Sequence, residues 1–72
     1  MIKNKVIICR VIWGNIRKFQ YVQGMSMPQL AKILGVSERS IYNYDANPGN
    51  LPLGRVQLFI EATGVTMESL IQ

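Results

Sequence analysis

Residues 26–45 read Ser26-Met-Pro-Gln-Leu-Ala-Lys-Ile-Leu-Gly35-Val-Ser-Glu-Arg-Ser-Ile-Tyr-Asn-Tyr-Asp45. Two short helix patterns lie here, each with its own start signal. Ser26 is an N-cap residue, and Gln29 three positions on gives the capping-box spacing. Pro28 falls in the first turn, where a missing N–H does little harm. Leu30, Ala31 and Leu34 recur at helical spacing. Gly35 ends the run, as the left-handed C′ position prefers glycine. Val36 fills the turn. Ser37 caps the second helix, whose apolar face repeats at Ile41 and Tyr44. Two helices with so short a break cannot lie in line, so they cross. The stretch is a helix-turn-helix.

The chain around it is small. Seventy-two residues make one domain near the lower size limit for a self-supporting core. The apolar fraction, 49%, is high for that length, so some apolar surface has to stay exposed, which suits a partner or a homodimer. A net charge of +4 and a pI near 9.7 suit a polyanion, and equally suit ordinary solubility. Cys9 is the single cysteine. That excludes a disulfide framework and points to a reducing cytoplasm, with Cys9 itself as a small buried hydrophobe. There is no histidine, and the acids Glu38, Asp45, Glu61 and Glu68 are scattered. Without a general base, a metal cluster or paired carboxylates, the chain reads as a binding protein and not an enzyme, with no cofactor. Lys3 and Lys5 precede the apolar run Val6–Cys9, but Arg10 interrupts it and no small-residue cleavage site follows. No apolar stretch approaches the ~20 residues of a membrane helix. The expectation is no signal peptide and no membrane contact.

The stretch 26–45 resembles the Cro/lambda-repressor family of helix-turn-helix proteins. Leu30-Ala31, Gly35-Val36-Ser37, Ile41 and the aromatic–acid pair Tyr44-Asp45 carry the likeness. It extends back to Ile16 and Phe19 and forward through Gly64-Val65-Thr66 to Leu70, over residues 12–71. Where many members carry Gln just after the helix-2 cap, this chain has Met27. The resemblance implies an all-α, single small five-helix lambda-repressor-like domain. It also implies that the first helix runs from about Val11 to Val22, with Ile12, Ile16 and Phe19 inward. The residues themselves leave another option, since Val6, Ile7, Ile8, Val11 and Ile12 are β-branched and Gly14-Asn15 suits a hairpin turn. Residues 1–10 stay open between a helical extension and an extended arm. Such an arm, with Ile2, Val6 and Ile7 exposed, would serve dimerisation, or the same residues would simply add core.

Further along, Gln23-Gly24 ends the first helix, the second spans Met27–Leu34 and the third Glu38–Tyr44. Residues 46–50 form a loop. Asn50 is a plausible cap for a fourth helix with Pro52 in its first turn and Leu53, Val56 and Ile60 inward, Phe59 alongside. Gly64 stops it. Thr66 caps a last short helix carrying Met67, Leu70 and Ile71.

In a helix-turn-helix the second helix presents its early residues to base edges in the major groove, while the first crosses the backbone. That makes Glu38, Arg39 and Ser40 candidate DNA contacts, with Tyr42 and Asn43 further along. Arg39 suits guanine, Asn43 adenine or a phosphate, and Glu38 cytosine. The N–H groups of Met27 and Gln29 at the start of helix 2 suit a phosphate. Lys32, Arg17 and Lys18 are candidate phosphate contacts, and Asn47 and Asn50 lie in a loop that reaches the DNA backbone in the family. Ser37 reads as a cap, and Ile41 and Tyr44 as core. The third helix carries one Arg against Glu38 and Asp45, which is weak for a reading head whose affinity comes from phosphate neutralisation. A second class of function therefore stands beside double-stranded DNA binding. In size and in its weakly basic third helix the chain is similar to phage modulator-of-repression proteins, which act by contact with a phage repressor. The resemblance implies a regulator of a lytic–lysogenic decision.

Overall fold

The first helix starts nine residues earlier than the resemblance implies. In the computed structural model, which describes the backbone of residues 2–72 and the side chains from Ile7 onward, α1 runs Ile2–Val22. It is followed by α2 (Met27–Leu34), α3 (Glu38–Ala46), a 3-10 turn (Pro48–Asn50), α4 (Leu53–Thr63) and α5 (Met67–Leu70). The fold is all-α with five helices, and no strand forms among the described residues. The hairpin option at Gly14-Asn15 is thus excluded. Residues 2–10 are a helical extension, not an extended arm. The side chains of Ile2 and Val6 fall outside the described residues. β-Branched propensity loses here because α1 packs on the 3-10 turn with Ile12 buried in the core, and tertiary packing outweighs tenths of a kcal/mol of propensity per residue. No helix among the described residues is long and apolar enough to cross a membrane.

The helix-turn-helix signals act locally as read. Ser26 Oγ accepts from the Gln29 N–H at 3.2 Å, and Gln29 Oε1 accepts from the Ser26 N–H at 2.8 Å. Gly35 takes φ +70° and returns its N–H to α2. A side chain there would be strained and would also meet Arg55 Nη1 at 3.0 Å. Ser37 Oγ accepts from the Ser40 N–H, and Thr66 does the same for Ser69 at α5.

One core joins every helix. It consists of Ile12, Trp13 and Ile16 from α1, Leu30, Ala31 and Leu34 from α2, Ile41 and Tyr44 from α3, Leu51, Val56 and Phe59 before and within α4, and Leu70 from α5. Trp13 stacks edge-on against Tyr44, and Phe19 edge-on against Phe59, with centroids 5.3 and 5.4 Å apart. α1 also holds α5 through a 2.7 Å bond from Asn15 Nδ2 to the Leu70 carbonyl.

The start of α4 departs from expectation. Asn50 is not its cap and Pro52 is not in its first turn. Pro52 itself is the N-cap residue, with no side-chain bond. A residue before proline is pushed out of the helical region. Asn47 precedes Pro48 and Leu51 precedes Pro52, and both adopt non-helical angles. The Asn50 N–H is already spent on the Asn47 carbonyl. Leu51 turns into the core instead, and the inward face of α4 becomes Val56 and Phe59 with Ile60 partly covered. Leu53, expected inside, is 69% exposed, and Ile71 is also exposed. Cys9 is half-buried and is not a core residue. α3 continues to Ala46, two residues beyond the expected end.

Candidate functional site

Since α3 starts at a serine cap and shows Ile41 and Tyr44 to the core, helical periodicity turns Arg39, Tyr42 and Asn43 the other way, with Glu38 on the flank in the first turn. All four are exposed, and their side chains make no hydrogen bond or ion pair to another described residue. These sequence-predicted site residues therefore share one outward surface. Ser40 differs. It is half-buried, and its hydroxyl sits 3.2 Å from Ser37 Oγ at the helix start, where it completes the cap. Asn47 is exposed just beyond α3, with its N–H returned to the Asn43 carbonyl. Asn50 is exposed at the end of the 3-10 turn.

The α2 candidates divide in the same way. Lys32 is exposed in the last turn, without a described partner. Gln29 is exposed, but both its N–H and its side-chain oxygen are consumed by the reciprocal cap with Ser26, so the expected free N–H is not there. Met27 is half-buried against the core, and its sulfur accepts from Arg17 Nη1 at 3.1 Å and Gln20 Nε2 at 3.3 Å. Only its backbone N–H is left for a phosphate.

Of the two phosphate-contact candidates on α1, Arg17 and Lys18, Arg17 is not free. Its Nε and Nη2 each lie 3.1 Å from an Asp45 carboxylate oxygen, and Nη1 donates to Gln20 Oε1. The same carboxylate accepts a 2.7 Å bond from the indole N–H of Trp13, which is only 3% exposed. Gln20, also buried, passes the chain on by donating to the Met25 carbonyl at 3.2 Å. Among the described residues no buried side-chain nitrogen or oxygen lacks a partner. Asp45 thus ties the end of α3 to the middle of α1. Lys18 is exposed on another side of α1, beside Val65 and Leu70, and away from this cluster.

The network of Trp13, Gln20 and Asp45 is what sequence reading missed. Trp13 and Asp45 are 32 positions apart, and no local pattern links them. The charge of α3 changes accordingly. Arg17 neutralises Asp45, so the exposed surface carries Arg39 against Glu38 alone. That surface is amphoteric, with a donor fork, a carboxylate, an amide and a phenol within little more than one turn. It suits hydrogen-bond readout more than bulk charge attraction.

No protein-family model, curated protein or solved structure matches this chain.

Proposed function

We propose that this chain is a transcriptional regulator that binds operator DNA through α3, in a phage-type lytic–lysogenic switch, and that it works in the cytoplasm without a cofactor or catalysis. The observation that carries the reading is the division of α3. Its inward side is pinned by Ile41, Tyr44 and Asp45, while Arg39, Asn43, Tyr42 and Glu38 stand free on the outward side. An α-helix held from behind, with a bidentate donor early in its first turn, matches what the major groove accepts. Arg39 is assigned to guanine and Asn43 to adenine or phosphate. Lys32 and the Met27 N–H are assigned to the backbone. The phage setting rests on the family resemblance alone.

A second reading is favoured by charge. The outward side of α3 nets to zero, and phosphate neutralisation supplies most non-specific affinity. In that reading the chain is an antirepressor or modulator that meets a phage repressor by direct contact and binds DNA weakly by itself. A gel-shift titration on DNA flanking the encoding gene, with and without the product of any adjacent repressor gene, separates the two. A salt-sensitive, sequence-selective shift by this chain alone supports DNA reading. No shift alone, with loss or supershift of the neighbour's complex, supports the modulator. No effect in either format overturns both.

A further inference from the structure

Methionine sulfur is a weak hydrogen-bond acceptor and ordinarily fills apolar gaps. Met27 departs from that. Its sulfur accepts from two side chains at once, Arg17 Nη1 at 3.1 Å and Gln20 Nε2 at 3.3 Å. Met25 and Met67 also pack against the core, yet among the described residues no N–H reaches the sulfur of either. Met27 lies within reach of small solutes. It is half-buried and opens α2 between the exposed Ser26 and Pro28. A hollow of about 560 Å³ lies against the two residues that hold it, Arg17 and Gln20.

What the two donors do depends on the oxidation state of the sulfur. On a thioether they meet a weak acceptor. On a sulfoxide they would meet an oxygen, and the bond from the guanidinium would be charge-assisted. Hydrogen peroxide supplies that oxygen. A sulfur lone pair attacks one peroxide oxygen and the O–O bond breaks. The departing hydroxide takes the proton of the transferred oxygen and leaves as water. Sulfur loses two electrons and peroxide gains them. Oxidation of a packed methionine disrupts a core because the new polar atom lacks a partner. At Met27 the partners are in place. The oxygen, however, enters where the donors now touch the sulfur, so they must draw back. Arg17 cannot move alone, since its Nε and Nη2 each hold an Asp45 oxygen at 3.1 Å. Asp45 in turn accepts from Trp13 Nε1 at 2.7 Å. A change at the foot of α2 therefore runs through α1 to the end of α3.

We propose that Met27 is a site of reversible oxidation by hydrogen peroxide, that Arg17 and Gln20 hold the sulfoxide oxygen, and that the shift of Arg17 loosens the bond between Asp45 and Trp13. The tight Arg17–Asp45 pair belongs to the thioether form. The proposal goes beyond the regulatory reading and is tested without DNA, so its failure would leave that reading standing.

The test treats the chain with hydrogen peroxide and locates the added oxygen by peptide mass spectrometry. Met27 is expected to take up oxygen while the circular dichroism stays helical. Hydrogen exchange of the Trp13 indole N–H, followed by NMR, should quicken at least about fivefold. Methionine sulfoxide reductase should restore the slow rate. Cys9 also meets peroxide, so Met27→Leu is the control, keeping the thiol and lacking the thioether. Its Trp13 exchange should not respond. Met27→Gln offers an amide oxygen to the same donors and should exchange quickly without peroxide, which keeps the test open should Met27→Leu not fold. An unmodified Met27 in the folded chain overturns the proposal. So does a Met27 sulfoxide that leaves Trp13 exchange unchanged, a response that persists in Met27→Leu, or a Met27→Gln that behaves as untreated wild type. Unfolding on oxidation of Met27 overturns it too, because Arg17 and Gln20 would then not be holding the oxygen.

Discussion

On its inward side α3 buries Ile41 and Tyr44 and gives Asp45 to three N–H groups of α1, whereas on its outward side Glu38, Arg39, Tyr42 and Asn43 bond to no other described residue. Both sides are rich in polar atoms, so polarity does not distinguish them. Satisfaction does. A polar group enclosed by protein must be paired or it destabilises the fold. A polar group left unpaired at the surface is held by water and remains available to another molecule. The inward set therefore fixes where α3 sits, and the outward set is what α3 can offer.

Substitutions on the two sides should differ accordingly. The largest effect is expected from Ile41→Ala, which leaves a cavity in a fully buried site and should lower stability by about 2–5 kcal/mol in urea denaturation. Asp45→Ala comes next. It strands the buried Trp13 N–H and should cost about 1–3 kcal/mol. Asp45→Asn can keep an acceptor for the indole and loses only an ion pair about a third exposed, so less than about 1 kcal/mol should go. Equal losses in the two Asp45 variants would show that charge, not satisfaction, governs the inward side. Arg39→Ala should leave stability within about 0.5 kcal/mol, while specific DNA affinity falls by about 1–3 kcal/mol in a binding titration. A melting temperature that drops with Arg39→Ala would break the comparison outright. The smallest effect belongs to Gly14, in mid-helix on an exposed position where a methyl group would meet nothing within 4 Å. Gly14→Ala should raise stability by about 0.5–1 kcal/mol in the same denaturation assay.

The same contrast explains what was legible in the sequence. The caps at Ser26, Ser37 and Thr66 and the stop at Gly35 act over three or four residues, so the three helices they open begin where read and α2 also ends where read, whereas α3, with no glycine stop, runs on to Ala46. The outward residues of α3 follow from the period of its apolar ones. What depends on distant partners was not visible. The extension of α1 is decided by a corner some forty residues away. Arg17 reads as a spare surface cation until Asp45 is seen beside it. Gln29 was misjudged for a different reason. Its own cap with Ser26 was recognised, yet that cap consumes the N–H that was also assigned to a phosphate. The two prolines at 48 and 52 did carry a readable signal, because each excludes its predecessor from a helix. That signal shifts the start of α4 and puts Leu53 outside.

The edge-on packing of Trp13 against Tyr44, with the indole N–H on Asp45, has a practical consequence. Trp13 is the molecule's single tryptophan, so its emission reports from one place, the joint between α1 and α3. The wild-type chain already contains an optical gauge of how α3 is seated, with no label needed. A ligand that tilts α3 should shift that emission, while one that settles away from that joint should leave the colour unchanged. Two kinds of encounter are thereby sorted by a single cuvette reading.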